Sequence, residues 1–217
     1  MEVRLVDKMG SDLSVVNAAR VSFAKVHEKF DEESDERLIK YLAVHNHWSP
    51  FGHASLQFHI KAPIFVARQL VKHQVGLIWN EVSRRYVDDE VSFYIPKDWR
   101  GAATNKKQGS SEEAIDINPR GRMVNEYETV LNGAKWCYEY LLRIGVCPEQ
   151  ARMVLPQAMM TEWYWSGSLY AFARVCNLRT KEDAQLETRM IGDQISDIVK
   201  NEFPVSWKYL VEGEDIK

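Results

Sequence analysis

The chain is poor in the features that mark disulfide scaffolds, zinc centres, membrane proteins and polyanion binders. Three of 217 residues are cysteine. Cys137, Cys147 and Cys176 are odd in number, sit in apolar surroundings and show no close-paired spacing, so neither a disulfide framework nor a zinc site is expected. They read as reduced, buried thiols of a cytoplasmic protein. No apolar run is long enough to span a bilayer, and Met1-Glu2-Val3-Arg4 does not open a signal peptide. Charge is nearly balanced, with 28 Lys and Arg against 31 Asp and Glu for a formal net charge of -3. That gives no general attraction for a nucleic-acid polymer, so any basic character must be local. There is no repeat, linker or composition break, and a hydrophobic content of 45% over this length reads as one domain, residues 1–217. Residues 101–120 have few large apolar groups and cannot offset ordering entropy by burial. They read as a mobile loop, either a lid or a tolerated surface insertion.

Periodicity supplies short strands separated by helices. Residues 1–7, 54–60, 91–95 and 160–165 read as strands. Ser11 and Asp12 cap a helix with Leu13, Val16, Ala19 and Phe23 on one face. A second helix carries Leu38, Tyr41, Leu42 and His45 and ends near Asn46. Pro63 opens a third, whose apolar residues cover several faces and imply burial at a subunit contact. From Met123, residues Tyr127, Val130, Leu131, Ala134, Cys137, Tyr138 and Leu141 line the longest amphipathic helix, read as core scaffold and stopped at Gly145. Pro148 opens a short helix, residues 168–175 form another, and Leu186 to Val199 line a last long one. Trp163, Tyr164 and Trp165 suit either a stacking platform for bases or an oligomer interface. His45, His47, His53 and His59 fall across a helix end, a turn and a strand with no Cys or carboxylate completing a metal spacing, so no metal site is expected.

The chemistry concentrates in residues 72–86. Lys72, His73 and Gln74 end a helix, Gly76 follows, and Glu81, Ser83 and Arg85 alternate, which places them on one face if the backbone is extended. A carboxylate beside a two-pronged guanidinium suits an anionic, hydrogen-bonding ligand such as a nucleotide. A solvated charged loop is the plainer reading.

The order and spacing of Lys72-His73-Gln74, eight residues from Val75 to Val82, then Ser83-Arg84-Arg85 resemble the signature of the flavin-dependent thymidylate synthases, Arg-His-Arg followed after seven or eight residues by Ser-X-Arg. Lys72 and Gln74 stand where that family has arginines. The resemblance continues through Ala19-Arg20-Val21-Ser22-Phe23, His47-Trp48-Ser49-Pro50-Phe51, residues 62–69, residues 151–156 and Asn177-Leu178-Arg179. It implies an α/β fold with an antiparallel sheet flanked by helices, a homotetramer with active sites shared between subunits, FAD as cofactor, and NADPH and methylenetetrahydrofolate as co-substrates for methylation of dUMP.

Residue by residue, the resemblance assigns catalysis to Arg179, which polarises the pyrimidine, and to His73, which lies against the flavin. Gln69, Lys72, Glu81, Val82, Ser83, Arg84, Arg85, Arg152 and Arg179 would hold dUMP. Ser22, His47, Ser49, Lys72, His73, Gln74, Glu81, Ser168, Tyr170 and Arg174 would hold FAD. Gly52 replaces an acidic residue of relatives, and Ser168, Tyr170 and Arg174 stand where relatives often have Asn, Arg and Asn. Lys72 keeps the positive charge but loses the planar fork, whereas Gln74 loses the charge, which Arg174 partly returns. Thymidylate synthases that use a covalent cysteine need an activated thiolate, and no cysteine here has a basic residue as immediate neighbour. The residues leave open a variant that forms 5-hydroxymethyl-dUMP, a non-catalytic flavin- or nucleotide-binding relative, and, for Arg179, a plain surface pairing with Glu182 or Glu187.

Overall fold

The central strand of the sheet, Met160–Ser168, alternates Thr161, Trp163 and Trp165 inward with Glu162, Tyr164 and Ser166 outward, so two large indoles enter the core from one strand. The computed structural model describes residues 1–86, 90–103, 110–115 and 120–211. In chain order its elements are β1 (Glu2–Met9), α1 (Asp12–Arg20), α2 (Ser34–Val44), β2 (Ser55–Pro63), α3 (Ile64–Leu70), β3 (Leu77–Glu81), β4 (Arg100–Ala102), β5 (Ser110–Ala114), α4 (Arg120–Arg143), α5 (Pro148–Ala151), β6 (Met160–Ser168), α6 (Leu169–Arg179), α7 (Leu186–Glu202) and α8 (Pro204–Leu210). The order β1-β2-β6-β3 makes one four-stranded sheet, and β4 and β5 make a separate ribbon. Each pairing is antiparallel. This is the expected α/β architecture.

Leu56, Phe58, Ile60 and Ala62 of β2 join Trp163 and Trp165 on the buried face. Against them pack Phe172 of α6, Ile191 and Ile195 of α7, and Trp207 of α8. Phe172 meets Phe58 and Trp165 edge to face at centroid distances of 5.0 and 5.3 Å. A large aromatic ring buries about 150–250 Å², worth roughly 4–6 kcal/mol at about 25 cal/mol per Å² before entropy. These rings anchor the fold.

Several segments depart from the reading of the sequence. Residues 77–81, not among the strands read from periodicity, pair with β6 from Leu77↔Gly167 to Glu81↔Trp163. Trp79 stacks on Trp163 at 4.4 Å, which fixes this edge strand. Residues 91–95 are not a strand: a single bridge joins Phe93 to Met159, with Tyr94 N–H donating to Ala158 O at 2.8 Å. The helix after Met123 runs as expected, but it is not scaffold of the main core. Tyr138 packs in a smaller cluster with Val91, Ala151 and Met159, while Val130 and Trp136 are exposed. Residues beyond Glu202 add α8, whose first-turn N–H groups of Val205 and Ser206 donate to the Asp12 carboxylate at 2.9 and 2.8 Å. That cap comes from the other end of the chain, so no local sequence announces it.

Trp163 and Trp165 are buried, which removes both from any base-stacking platform and leaves Tyr164 at the surface. Cys176 is buried, Cys137 is half-buried and Cys147 is exposed, so the expectation of three buried thiols fails at Cys147. Cys147 holds the N-cap position of α5, where the chain turns over the surface. Within the segment 101–120, its first residues pair with Ser110–Ala114 as the β4–β5 ribbon, and residues 104–109 and 116–119 lie outside the described residues.

Candidate active site

Strand β2 passes directly into α3 at Pro63, whose fixed φ suits the N-cap position it occupies. The helix is short and leaves Lys72, His73 and Gln74 on a loop. His73 N–H donates to Leu70 O at 3.0 Å and Leu77 N–H to Gln74 O at 3.2 Å, so both ends of the loop are tied. Gly76 has φ +77°, which favours glycine. Across the ladder the next residue, Leu77, faces Gly167, where a Cβ would lie 2.5 Å from Gly76 O. The loop is therefore pressed onto β6 and the start of α6, and an open notch of about 110 Å³ is lined by Lys72, His73, Gln74, Val75, Leu77, Ala171 and Arg174.

Two candidates separated by 106 positions meet here: Arg179 Nε donates to His73 Nε2 at 2.9 Å. Burial, then the charges of Arg179 and Arg174, push the His73 pKa down from its ordinary 6.5. Its imidazole is thus neutral at pH 7, accepts at Nε2 and carries its proton on Nδ1. Among the described residues the one hydrogen bond of the Arg179 guanidinium is that to His73 through Nε, which leaves both terminal nitrogens for a ligand. Glu187 is taken by Arg100 at 2.9 Å, and no pair of Arg179 with Glu182 or Glu187 forms among the described residues. A pH titration of His73 followed by NMR should show the Nδ1–H tautomer with a midpoint below 6.5, and Arg174→Ala should raise that midpoint by removing a neighbouring cation. An unchanged midpoint in Arg174→Ala would disprove the Coulomb coupling. The sign for stability follows: the unfolded chain takes this proton near 6.5 and the folded one resists it, so stability falls as pH drops below about 6.5 until the folded midpoint is passed.

Farther along, the expected extended face is not formed. Val82 N–H donates to Glu162 O at 2.9 Å as the last ladder-like bond. The chain then turns, with Tyr86 N–H donating to Ser83 O at 3.0 Å. Glu81, Ser83 and Arg85 consequently do not share one strand face. Glu81 accepts from Thr161 Oγ1 at 2.8 Å and from Trp79 Nε1 at 3.3 Å. Arg85 reaches Glu149 of α5 at 3.3 Å, which brings it beside the helical turn carrying Arg152. Arg84 is half-buried between them in sequence. Of the phosphate and sugar candidates, Ser83 and Arg85 thus share one turn, and Arg85 is tied to the short helix that leads into Arg152.

The flavin candidates are unevenly gathered. Lys72, His73, Gln74 and Arg174 surround the notch. Ser168 is placed beside it, but its Oγ caps α6 by accepting from Ala171 N–H at 3.2 Å, so much of its bonding capacity is structural. Tyr170 lies 6.2 Å from the exposed Trp48 ring, between His47 and Ser49, both exposed. His47 belongs to an edge-on ring cluster with Tyr41 and His45. Ser22 is exposed on the turn after α1. Its segment is braced by Asp35, which is fully buried and accepts from Arg20 at 2.8 Å, with His27 Nδ1 3.0 Å away. Burial opposes ionising Asp35, but the bonds from Asp31, Arg20 and His27 prevail and hold its carboxyl below the usual range. Reading the sequence missed this brace and Trp48, because neither forms a local chemical pattern. The donors Lys72, Arg174 and His73 Nδ1–H, with the exposed Trp48 ring and the half-buried Tyr170 ring, fit an anionic cofactor that carries aromatic rings. Among the described residues no group of three or more His, Cys, Asp or Glu is placed to hold a metal ion. None of their helices is long and apolar enough to cross a membrane.

Fold and site together define an α/β protein with an antiparallel sheet flanked by helices, in which guanidinium groups are held beside a neutral imidazole, an arrangement suited to anions. The family model described as thymidylate synthase complementing protein matches residues 4–205, and the chain belongs to this family, the flavin-dependent thymidylate synthases. It is similar to the flavin-dependent thymidylate synthase of Thermus thermophilus, 40% identical over 215 residues that cover 97% of this chain and 77% of the relative. The relative from Thermotoga neapolitana is also 40% identical, over 98% of this chain and 93% of its own. Among solved structures, the UMP/dUMP methylase PolB from Streptomyces cacaoi, bound with 5-Br dUMP, superposes with a TM-score of 0.85 at 30% identity, covering 98% of this chain and 97% of that one. The same protein bound with 5-Br UMP gives 0.84 at 29% identity, over 96% and 92% of the two chains.

Proposed function

We propose that the chain is a flavin-dependent thymidylate synthase that reductively methylates dUMP to dTMP, with FAD bound, methylenetetrahydrofolate as carbon donor and NADPH as reductant. The observation that carries this reading is the Arg179–His73 contact, which orients the guanidinium through Nε and leaves its fork for a ligand. A fork facing O2 and N3 of a uracil ring stabilises the negative charge that makes C5 nucleophilic. Arg85, Ser83 and Arg152 bind phosphate and sugar, with Val82 and Arg84 holding the turn between them and Lys72 adding a point charge. Gln69 and Glu81 orient base and ribose. Lys72, His73, Gln74, Arg174, Tyr170, Ser168, Ser22, His47 and Ser49 hold FAD. Bound flavin supplies the two electrons that convert the transferred carbon to a methyl group.

No thiolate is needed on this route. Burial pushes the Cys176 thiol far up, which supports a mechanism without it. The candidates form separate neighbourhoods around His73, around Arg85 and around Tyr170, and no hydrogen bond or ring contact joins them among the described residues. Exposed Val21, Phe23, Val26 and Ile78 flank these regions. Both features support a homotetramer whose neighbouring subunits complete each site.

The purified protein should be yellow, and its NADPH oxidation under anaerobic conditions should depend on both dUMP and methylenetetrahydrofolate. Mass spectrometry of the nucleotide distinguishes dTMP from 5-hydroxymethyl-dUMP. UMP serves as the competing substrate, since the name of PolB covers both nucleotides. A colourless protein that neither binds flavin nor consumes dUMP would return the chain to a non-catalytic role.

A further inference from the structure

A chain of polar side chains that belongs to no recognised motif ends on one of the candidate nucleotide contacts. Arg100, the first residue of β4, donates to both oxygens of Glu187 at 2.9 and 3.0 Å, and Glu187 is only 5% exposed. Gln185 Nε2 donates to Glu187 Oε2 at 3.0 Å. The other end of that amide, Oε1, accepts from Gln69 Nε2, which also faces Phe65 O at 3.4 Å. A carboxylate held by a guanidinium only accepts. The nitrogen end of Gln185 must therefore face Glu187, its oxygen end must face position 69, and Gln69 must answer with nitrogen. Both amide orientations follow from the charge of one buried group, not from telling O and N apart by shape. Gln69 Oε1 is left without a partner among the described residues.

We propose that Arg100, Glu187 and Gln185 are positioning residues that fix the Gln69 amide with its oxygen toward the nucleotide, making position 69 a selective acceptor. This rests on the nucleotide-methylating reading above. The group it accepts from is a ribose hydroxyl of the substrate, because the Arg179 fork takes O2 and N3 of the base and leaves no donor at N3. Without the relay, the Gln69 amide turns freely and offers either end, so selectivity is lost while affinity falls only in part.

Gln185→Leu breaks the relay at an exposed residue and leaves the Arg100–Glu187 pair intact. The KM for dUMP should rise about tenfold, roughly the worth of one hydrogen bond to a nucleotide, with kcat and melting temperature nearly unchanged. The penalty against 2′,3′-dideoxy-UMP, which lacks the hydroxyl, should shrink about tenfold relative to the KM for dUMP, and discrimination against dCMP, which is made at the base, should stay as it was. Glu187→Gln is the second variant, since its amide can present either end to Gln185, and it should reproduce the loss of discrimination. A purely structural tether predicts a lower melting temperature with both discrimination ratios intact, and that result in both variants would overturn the proposal. Failure of the wild-type protein to consume dUMP at all would instead remove the nucleotide-methylating reading, and this inference with it.

Discussion

Arg179→Lys should keep dUMP affinity within about tenfold, or about 1.4 kcal/mol, while slowing single-turnover flavin oxidation at saturating dUMP and folate by about a hundredfold or more. In the wild-type chain Nε is committed to His73 Nε2 at 2.9 Å, which aims both terminal nitrogens at one ligand. A lysine keeps the positive charge but has one nitrogen for two tasks, so it either bonds His73 or meets the ring, and it cannot present two donors in a plane. Binding survives on charge, and activation suffers. Arg179→Ala should lose both, with dUMP binding weakened by roughly 1.5–3 kcal/mol for a charge-assisted contact. In that variant the His73 midpoint should also rise, because Arg179 is the larger of the two charges that depress it. A single-turnover rate in Arg179→Lys equal to that of the wild type would strike Arg179 from the catalytic residues.

The sequence carried α1 to α7, three of the four main strands and the signature loop because each has its own local period or spacing, and it did not carry α8. Asn46, expected to end α2, does so at φ +55°. Strand β3 was hidden because Ile78 points outward and is exposed beside inward-facing Leu77 and Trp79, which spoils the apolar alternation. The extended face of Glu81, Ser83 and Arg85 failed because pairing with β6 ends at Glu81 and Ser83 starts a turn. Spacing could not reveal that turn. Motif order placed His73 and Arg179 as partners in one activity, yet only the packing of α6 against the loop shows that they touch and which imidazole nitrogen accepts. Arg100 and Glu187 are 87 positions apart and Asp12 caps α8 from 193 or more positions away. Such contacts have no signature in a single chain, since any arginine and glutamate would read the same.

Gly167→Ala should be the most damaging small substitution in the protein. Leu77 and Gly167 face each other across the β3–β6 ladder, and a methyl group at 167 would sit 2.5 Å from Gly76 O, 2.5 Å from Leu77 Cδ2 and 3.3 Å from Leu77 Cα. The leucine methyl can rotate away. The carbonyl cannot, because Gly76 is held at φ +77° between the Leu77–Gln74 bond on one side and the contact of Ser168 N–H with its own oxygen at 3.3 Å on the other. Relief must come from moving the loop, and with it His73 and Gln74. Overpacking of this kind costs about 1–3 kcal/mol of stability, and a shift of roughly 1 Å in catalytic groups costs about a hundredfold in rate. Gly133→Ala is the control: it adds a methyl with nothing within 4 Å on α4 and should stabilise the helix by up to about 1 kcal/mol. Thermal unfolding, flavin affinity and the His73 NMR resonance, measured on both variants, separate a general loss of packing from displacement of the loop. Gly167→Ala should lower all three readings together, through a lower melting temperature, weaker flavin retention and a moved His73 signal. If it folds with the wild-type melting temperature and an unmoved His73 resonance, the close approach of β6 to the signature loop does not set the geometry of the site.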